Sequence, residues 1–74
     1  MDWQQHIISD PEIMFGKPCI KGTRISVDLI LEKLSSGLTM EYLLTAYPRI
    51  TKEDVLACLQ YAAENIRNET IYAA

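Results

Sequence analysis

Two cysteines, one histidine and a short run of cations are the residues of this 74-residue chain whose types could do chemistry. Cys19 and Cys58 stand far apart with no second cysteine beside either, so the spacing is neither a CxxC redox pair nor a zinc knuckle. They read as small apolar core side chains. Two free thiols fit a reducing compartment, and the expected location is cytoplasmic. His6 is the sole histidine, with no Cys or Ser placed by the sequence to be activated by it, and reads as a surface or packing residue. Asp28, Glu41, Glu53 and Asp54 fall where helices should begin, and capping and the helix dipole account for them. Glu64 and Glu69 read as the solvated side of a helix. No paired-carboxylate or HExxH spacing occurs. The sequence therefore predicts no enzyme, no cofactor and no metal.

The segment Gly16-Lys17-Pro18-Cys19-Ile20-Lys21-Gly22-Thr23-Arg24 carries three positive charges and no negative one. A phosphate loop would need Gly, four residues, then Gly-Lys-Ser/Thr running straight into a helix. Here Gly22 is followed by Thr23-Arg24, and a helix begins only after Ser26. Two readings stay open. One is purely architectural: turns at Gly16 and Gly22 flank a strand, with Arg24 tied to a carboxylate or to a helix's last carbonyls. The other is a nucleic-acid contact in which Lys17, Lys21 and Arg24 touch the phosphate backbone, joined by Arg49 and Lys52 from the helical part.

Those residues must be positioned by two textures of chain that change near residue 26. Before it, Pro11, Gly16, Pro18 and Gly22 punctuate β-branched pieces (Ile7-Ile8, Ile13-Met14, Cys19-Ile20, Thr23-Arg24-Ile25), which predicts short strands and tight turns. After it come three helices. Ser26 caps the first, with Val27, Ile30, Leu31 and Leu34 as its apolar side and Gly37-Leu38 as its stop. Thr39 caps the second, Met40 to about Ala46, with Met40, Leu43, Leu44 and Tyr47 apolar and Pro48 ending it. Thr51 and Asp54 make a capping box for the third. Its apolar stripe is Val55, Leu56, Cys58, Leu59, Ala62, Ala63 and Ile66, and its exposed face is Ala57, Gln60, Tyr61 and Glu64. The expected fold is mainly α: a three-helix bundle over 26–68 of helix-turn-helix type, preceded by a β arm over 1–25 and followed by a tail over 69–74. A recognition helix reads bases with its leading residues. Here that turn is Lys52-Glu53-Asp54, whose acids would face phosphates, so base reading by the third helix is disfavoured.

The net charge is −3. Removing the three cations of residues 17–24 from that total leaves −6 for the rest, a basic arm on an acidic body. At 74 residues the chain is a single domain, of a size that buries roughly 60% of its unfolded surface. A partner subunit is the usual remedy. A homodimer is expected, held by exposed Trp3, Ile7 and Ile8, with Ile71-Tyr72 of the tail as a second contact. No apolar run reaches the roughly 18–20 residues of a membrane span, and the first residues lack the pattern of a secretory signal.

Four strings carry a resemblance. They are Ile8-x-Asp10-Pro11, Gly16-Lys17-Pro18-x-Ile20-x-Gly22-Thr23-Arg24-Ile25-x-Val27, Gly37-Leu38-Thr39, and Tyr47-Pro48-x-Ile50-Thr51-x-Glu53-Asp54-Val55. Across about residues 6–63 the chain resembles the prokaryotic domain-of-unknown-function family 433, with Gly16, Lys17, Pro18, Ile20, Gly22, Thr23 and Arg24 as the core of the motif. The resemblance implies a homeodomain-like fold behind a β arm. It also implies an antitoxin of a type II toxin–antitoxin pair, whose partner resembles a PIN-domain ribonuclease, with repression at its own operator DNA as a second role. It implies no catalytic residue. An acidic PIN active site would accept an arginine such as Arg67. One departure is Phe15, where family members often carry a further glycine.

Overall fold

The structure is a computed structural model that describes residues 2–67. Two short strands, β1 (Ile7–Ile8) and β2 (Cys19–Ile20), pair antiparallel with Ile7 opposite Ile20 and Ile8 opposite Cys19. Three helices follow: α1 (Val27–Ser35), α2 (Met40–Ala46) and α3 (Lys52–Arg67). Each begins on a side-chain cap that satisfies an otherwise orphaned N–H. Ser26 Oγ accepts from Leu29 N, and Thr39 Oγ1 from Tyr42 N. At α3 the box closes both ways, Asp54 N donating to Thr51 Oγ1 and Thr51 N to Asp54 Oδ2. The end of α1 is a Schellman turn, with Gly37 at φ 90°, Gly37 N on Leu34 O and Leu38 N on Lys33 O.

The β arm is a wall of the core and not an appendage. Ile7, Cys19 and Ile20 are buried together with Val27, Ile30, Leu43, Ile50, Val55, Ala57 and Cys58. This corrects the expectation that Trp3, Ile7 and Ile8 stand exposed for a dimer partner. Ile7 keeps only 7% of its surface, Ile8 and Trp3 are half-buried, and Trp3 lies edge-on to Tyr61 with ring centroids 4.9 Å apart. The second expected contact, Ile71-Tyr72, lies outside the described residues.

Two more expectations are revised. Ala57, assigned to the exposed face of the third helix, is fully buried, while Leu56, Leu59 and Ile66 of its apolar stripe are exposed. The N-terminal segment packs along Asp54, Tyr61 and Glu64, so α3 turns that side inward. Nor do Ile13-Met14 and Thr23-Arg24-Ile25 form strands. Ile13 makes a single bridge to Asp10, and Ser26 one to Cys19.

Between the strands, Met14, Phe15 and Gly16 take three successive left-handed conformations, φ 53°, 58° and 84°. Gly16 N reaches back to the carbonyls of Asp10 and Ile13. Glycine adopts this geometry freely, whereas a side chain there costs about 1–2 kcal/mol. Phe15 is fully exposed, so its ring offsets none of that strain. Phe15→Gly is therefore expected to stabilise the protein by about 0.5–1 kcal/mol, after allowing for glycine's greater freedom when unfolded. Urea denaturation checks this; a lower midpoint for the variant would show that the Phe15 ring contributes to the fold.

Candidate nucleic-acid interface

The motif segment is built as a tight loop on the edge of the hairpin. Lys21 N donates to His6 O at 2.8 Å, and Ile20 N to Ile25 O at 2.9 Å, which ties the loop to its neighbours on either side. Gly22 turns the chain at φ 80°. Thr23 Oγ1 donates to Ile20 O at 2.8 Å and accepts from Ile25 N at 3.0 Å, closing the turn and leaving Arg24 at its exposed tip.

Arg49 meets this loop from the other end of the chain. Pro48 and Arg49 form the turn between α2 and α3, and Ile50 behind them is buried in the core. Arg49 is left outside, where its Nη2 donates to Gly22 O at 3.1 Å. Arg24 and Arg49 thereby share one open cleft of about 390 Å³, lined also by Ile13, Gly22 and Thr23. No carboxylate is among the lining residues. Two guanidinium forks in one recess suit a phosphate, which Arg can grip through paired N–H donors.

The other three sequence-predicted cations do not join them. Lys17 Nζ sits 2.9 Å from Asp28 Oδ2. The Ser26 hydroxyl, followed by the Lys17 ammonium, holds the Asp28 carboxyl below the usual carboxylate range. That carboxylate stays ionised at neutral pH and neutralises Lys17. Lys21 is exposed beside Gly22, and Lys52 is exposed in the first turn of α3 next to Glu53, neither of them lining the cleft. Arg67 stands exposed in the last turn of α3. The tether expected of Arg24 is made by its neighbours instead: Lys17 takes the carboxylate and Arg49 the carbonyl.

Two contacts were not anticipated from the sequence. His6 Nδ1 donates to Asp54 Oδ1 at 2.9 Å, and the Trp3 indole N–H donates to Glu64. Both pairs are far apart in the chain. The only advance signal was the presence of hydrogen-bonding side chains at the turn positions 3 and 6. A second recess, about 220 Å³ and almost wholly apolar, lies between the arm and the helices against Pro18, Val27, Leu31, Tyr61 and Ala62, with Lys17 and Asp28 at its rim.

The comparisons with known proteins agree with this architecture. Residues 7–62 match the family described as Protein of unknown function (DUF433). The chain belongs to the DUF433 family. It is similar to the uncharacterized protein y4eO of Sinorhizobium fredii, 30% identical over 59 residues, which covers 80% of this chain and 27% of that protein. It is also similar to a DUF433 member from Anabaena variabilis solved as a crystal structure, with 31% identity and a TM-score of 0.80 over 86% of this chain and 63% of that one. The chain thus spans about a quarter of the one relative's length and under two thirds of the other's. Among the described residues no helix is long and apolar enough to cross a membrane.

Burial pushes both thiols up. For Cys58 burial, helped by Asp54, takes it to about 12. For Cys19 burial acts first and Asp28 second, with Lys17 opposing. At pH 8 both are expected to be protonated and shielded, so neither reacts with a disulfide reagent on the timescale of free cysteine. Unfolding should release two thiols per chain; rapid reaction of either in the native protein would contradict their burial.

Proposed function

We propose that this DUF433 protein is a non-enzymatic cytoplasmic antitoxin of a type II toxin–antitoxin pair. On this reading it neutralises a PIN-like ribonuclease and contacts the DNA of its own operator through the Arg24–Arg49 cleft. The observation that carries the DNA contact is that cleft: two arginines share it, one already fixed by the Gly22 carbonyl, and no acid among the described residues lines it. The toxin half is supported by the family motif at Gly16–Arg24.

The contact is with the phosphate backbone and not with base edges. α3 would be the recognition helix of a homeodomain-like arrangement, yet its first turn exposes Glu53, and Asp54 beside it is engaged by Thr51 and His6. Backbone contacts position a protein on DNA without reading sequence and depend steeply on salt.

Mobility-shift titrations against the upstream region of its own gene test the DNA contact. Arg24→Ala and Arg49→Ala should each weaken binding and flatten the dependence of log affinity on log salt by about 0.9 per lost phosphate contact. Lys17→Ala should do so far less, because Asp28 already holds that ammonium. Unchanged binding in both arginine variants would overturn the cleft assignment. Co-expression with a neighbouring PIN-like frame tests the other half: a stable complex and relief of toxicity are expected, and the absence of both would overturn the antitoxin reading.

A further inference from the structure

The outer face of α3 carries a second apolar stripe that nothing among the described residues covers. Leu56, Leu59 and Ile66 are 37%, 43% and 59% exposed, and Ala63 between them is exposed as well. Their positions, 56, 59, 63 and 66, step by three, four and three, which is the spacing of a coiled-coil seam. Left in water, this row forgoes burial that a partner surface would supply.

Charge placement identifies the occupant. Glu53 and Arg67 are both exposed and lie two heptads apart on the same edge of the seam. If a second α3 lies antiparallel across the first, Leu56 stacks on Ile66 of the other copy and Leu59 on its Ala63. The same register brings Glu53 to Arg67 of the other copy, and the two-fold repeats every pair. Small Ala63 opposite Leu59 allows the two helices to approach closely. A parallel pairing would set Arg67 against Ala62 and leave both charges without partners.

We propose that two copies of this chain associate through α3 in that antiparallel register. The interface is isologous: one patch, self-complementary in shape and charge. It replaces the dimer contact expected of Trp3, Ile7 and Ile8, of which Trp3 and Ile7 pack within their own chain. It also covers the face of α3 that a major groove would otherwise receive, leaving the Arg24–Arg49 cleft as the cationic surface. The inference stands apart from the antitoxin reading, since it rests on the seam alone and its test contains neither toxin nor DNA.

Sedimentation velocity of the full chain from about 5 to 500 µM tests it. The wild type should approach twice the 8.4 kDa chain mass within that range, and Leu59→Glu should stay a single chain while keeping the helical circular dichroism of the wild type. Glu53→Arg and Arg67→Glu should each weaken self-association roughly tenfold, because both symmetric pairs turn repulsive. Mixing the two variants should restore a heterodimer in which both pairs are attractive. A wild type that remains one chain at 500 µM, or a dimer indifferent to Leu59→Glu, would overturn the interface. A mixture that associates no better than its components would overturn the antiparallel register.

Discussion

The Asp54 carboxylate accepts a hydrogen bond on each oxygen, from Thr51 N on Oδ2 and from His6 Nδ1 on Oδ1. The first closes the cap that starts α3; the second fastens the N-terminal segment to the same turn. From there the segment follows one strip of the helix, with Trp3 edge-on to Tyr61 and donating to Glu64, and Ala57 buried between these anchors. Asp54, Ala57, Tyr61 and Glu64 step by three, four and three, as neighbours on one helical face do. That docking helps set which way α3 faces. Its inner strip receives the arm, and the strip at Leu56, Leu59, Ala63 and Ile66 is left to solvent.

The cationic cleft depends on the same packing. β2 is held in the core by Cys19 and Ile20 and is bonded on one side to the arm through Lys21 N and His6 O. The turn that follows is closed by Thr23 and projects Arg24. Arg49 arrives because Ile50 must be buried at the start of α3. An arginine one position before a buried side chain in a tight turn is directed outward, toward the Gly22 carbonyl. The two guanidinium groups are thus brought together by core residues that touch no ligand. Lys17, which does not line the cleft, is paired with Asp28 at the first turn of α1.

The helices were legible because local rules agree with the fold. Ser26, Thr39 and Thr51 cap where capping chemistry places them, and Gly37 takes the left-handed position that its place behind Ser36 requires. The facing of α3 was not legible. Its apolar residues span well over half the circumference, so periodicity alone cannot choose between Leu56-Leu59-Ile66 and Ala57-Tyr61 as the inner side. Contacts such as those of Trp3 and His6, some fifty to sixty residues away, break the tie. The candidate site was half legible. The cations of residues 17–24 stood out as a cluster, but which of them act together depends on Arg49 and Asp28, which join from outside the segment. Phe15 shows the converse: a residue unlike the family's usual glycine occupies a left-handed position, and the sequence alone gave no φ to reveal the strain.

The measurement that bears most directly on the docking of the arm is a double-mutant cycle on His6 and Asp54, read by chemical denaturation. Asp54→Ala should cost more than His6→Ala, because it removes the cap as well as the clamp, about 2 kcal/mol against about 1 kcal/mol. The double variant should fall short of the sum by about 0.5–1.5 kcal/mol, the coupling expected of two side chains in direct contact. Strict additivity of the two substitutions would contradict the account, since the arm would then be held on α3 without the bond on which the facing of the helix depends.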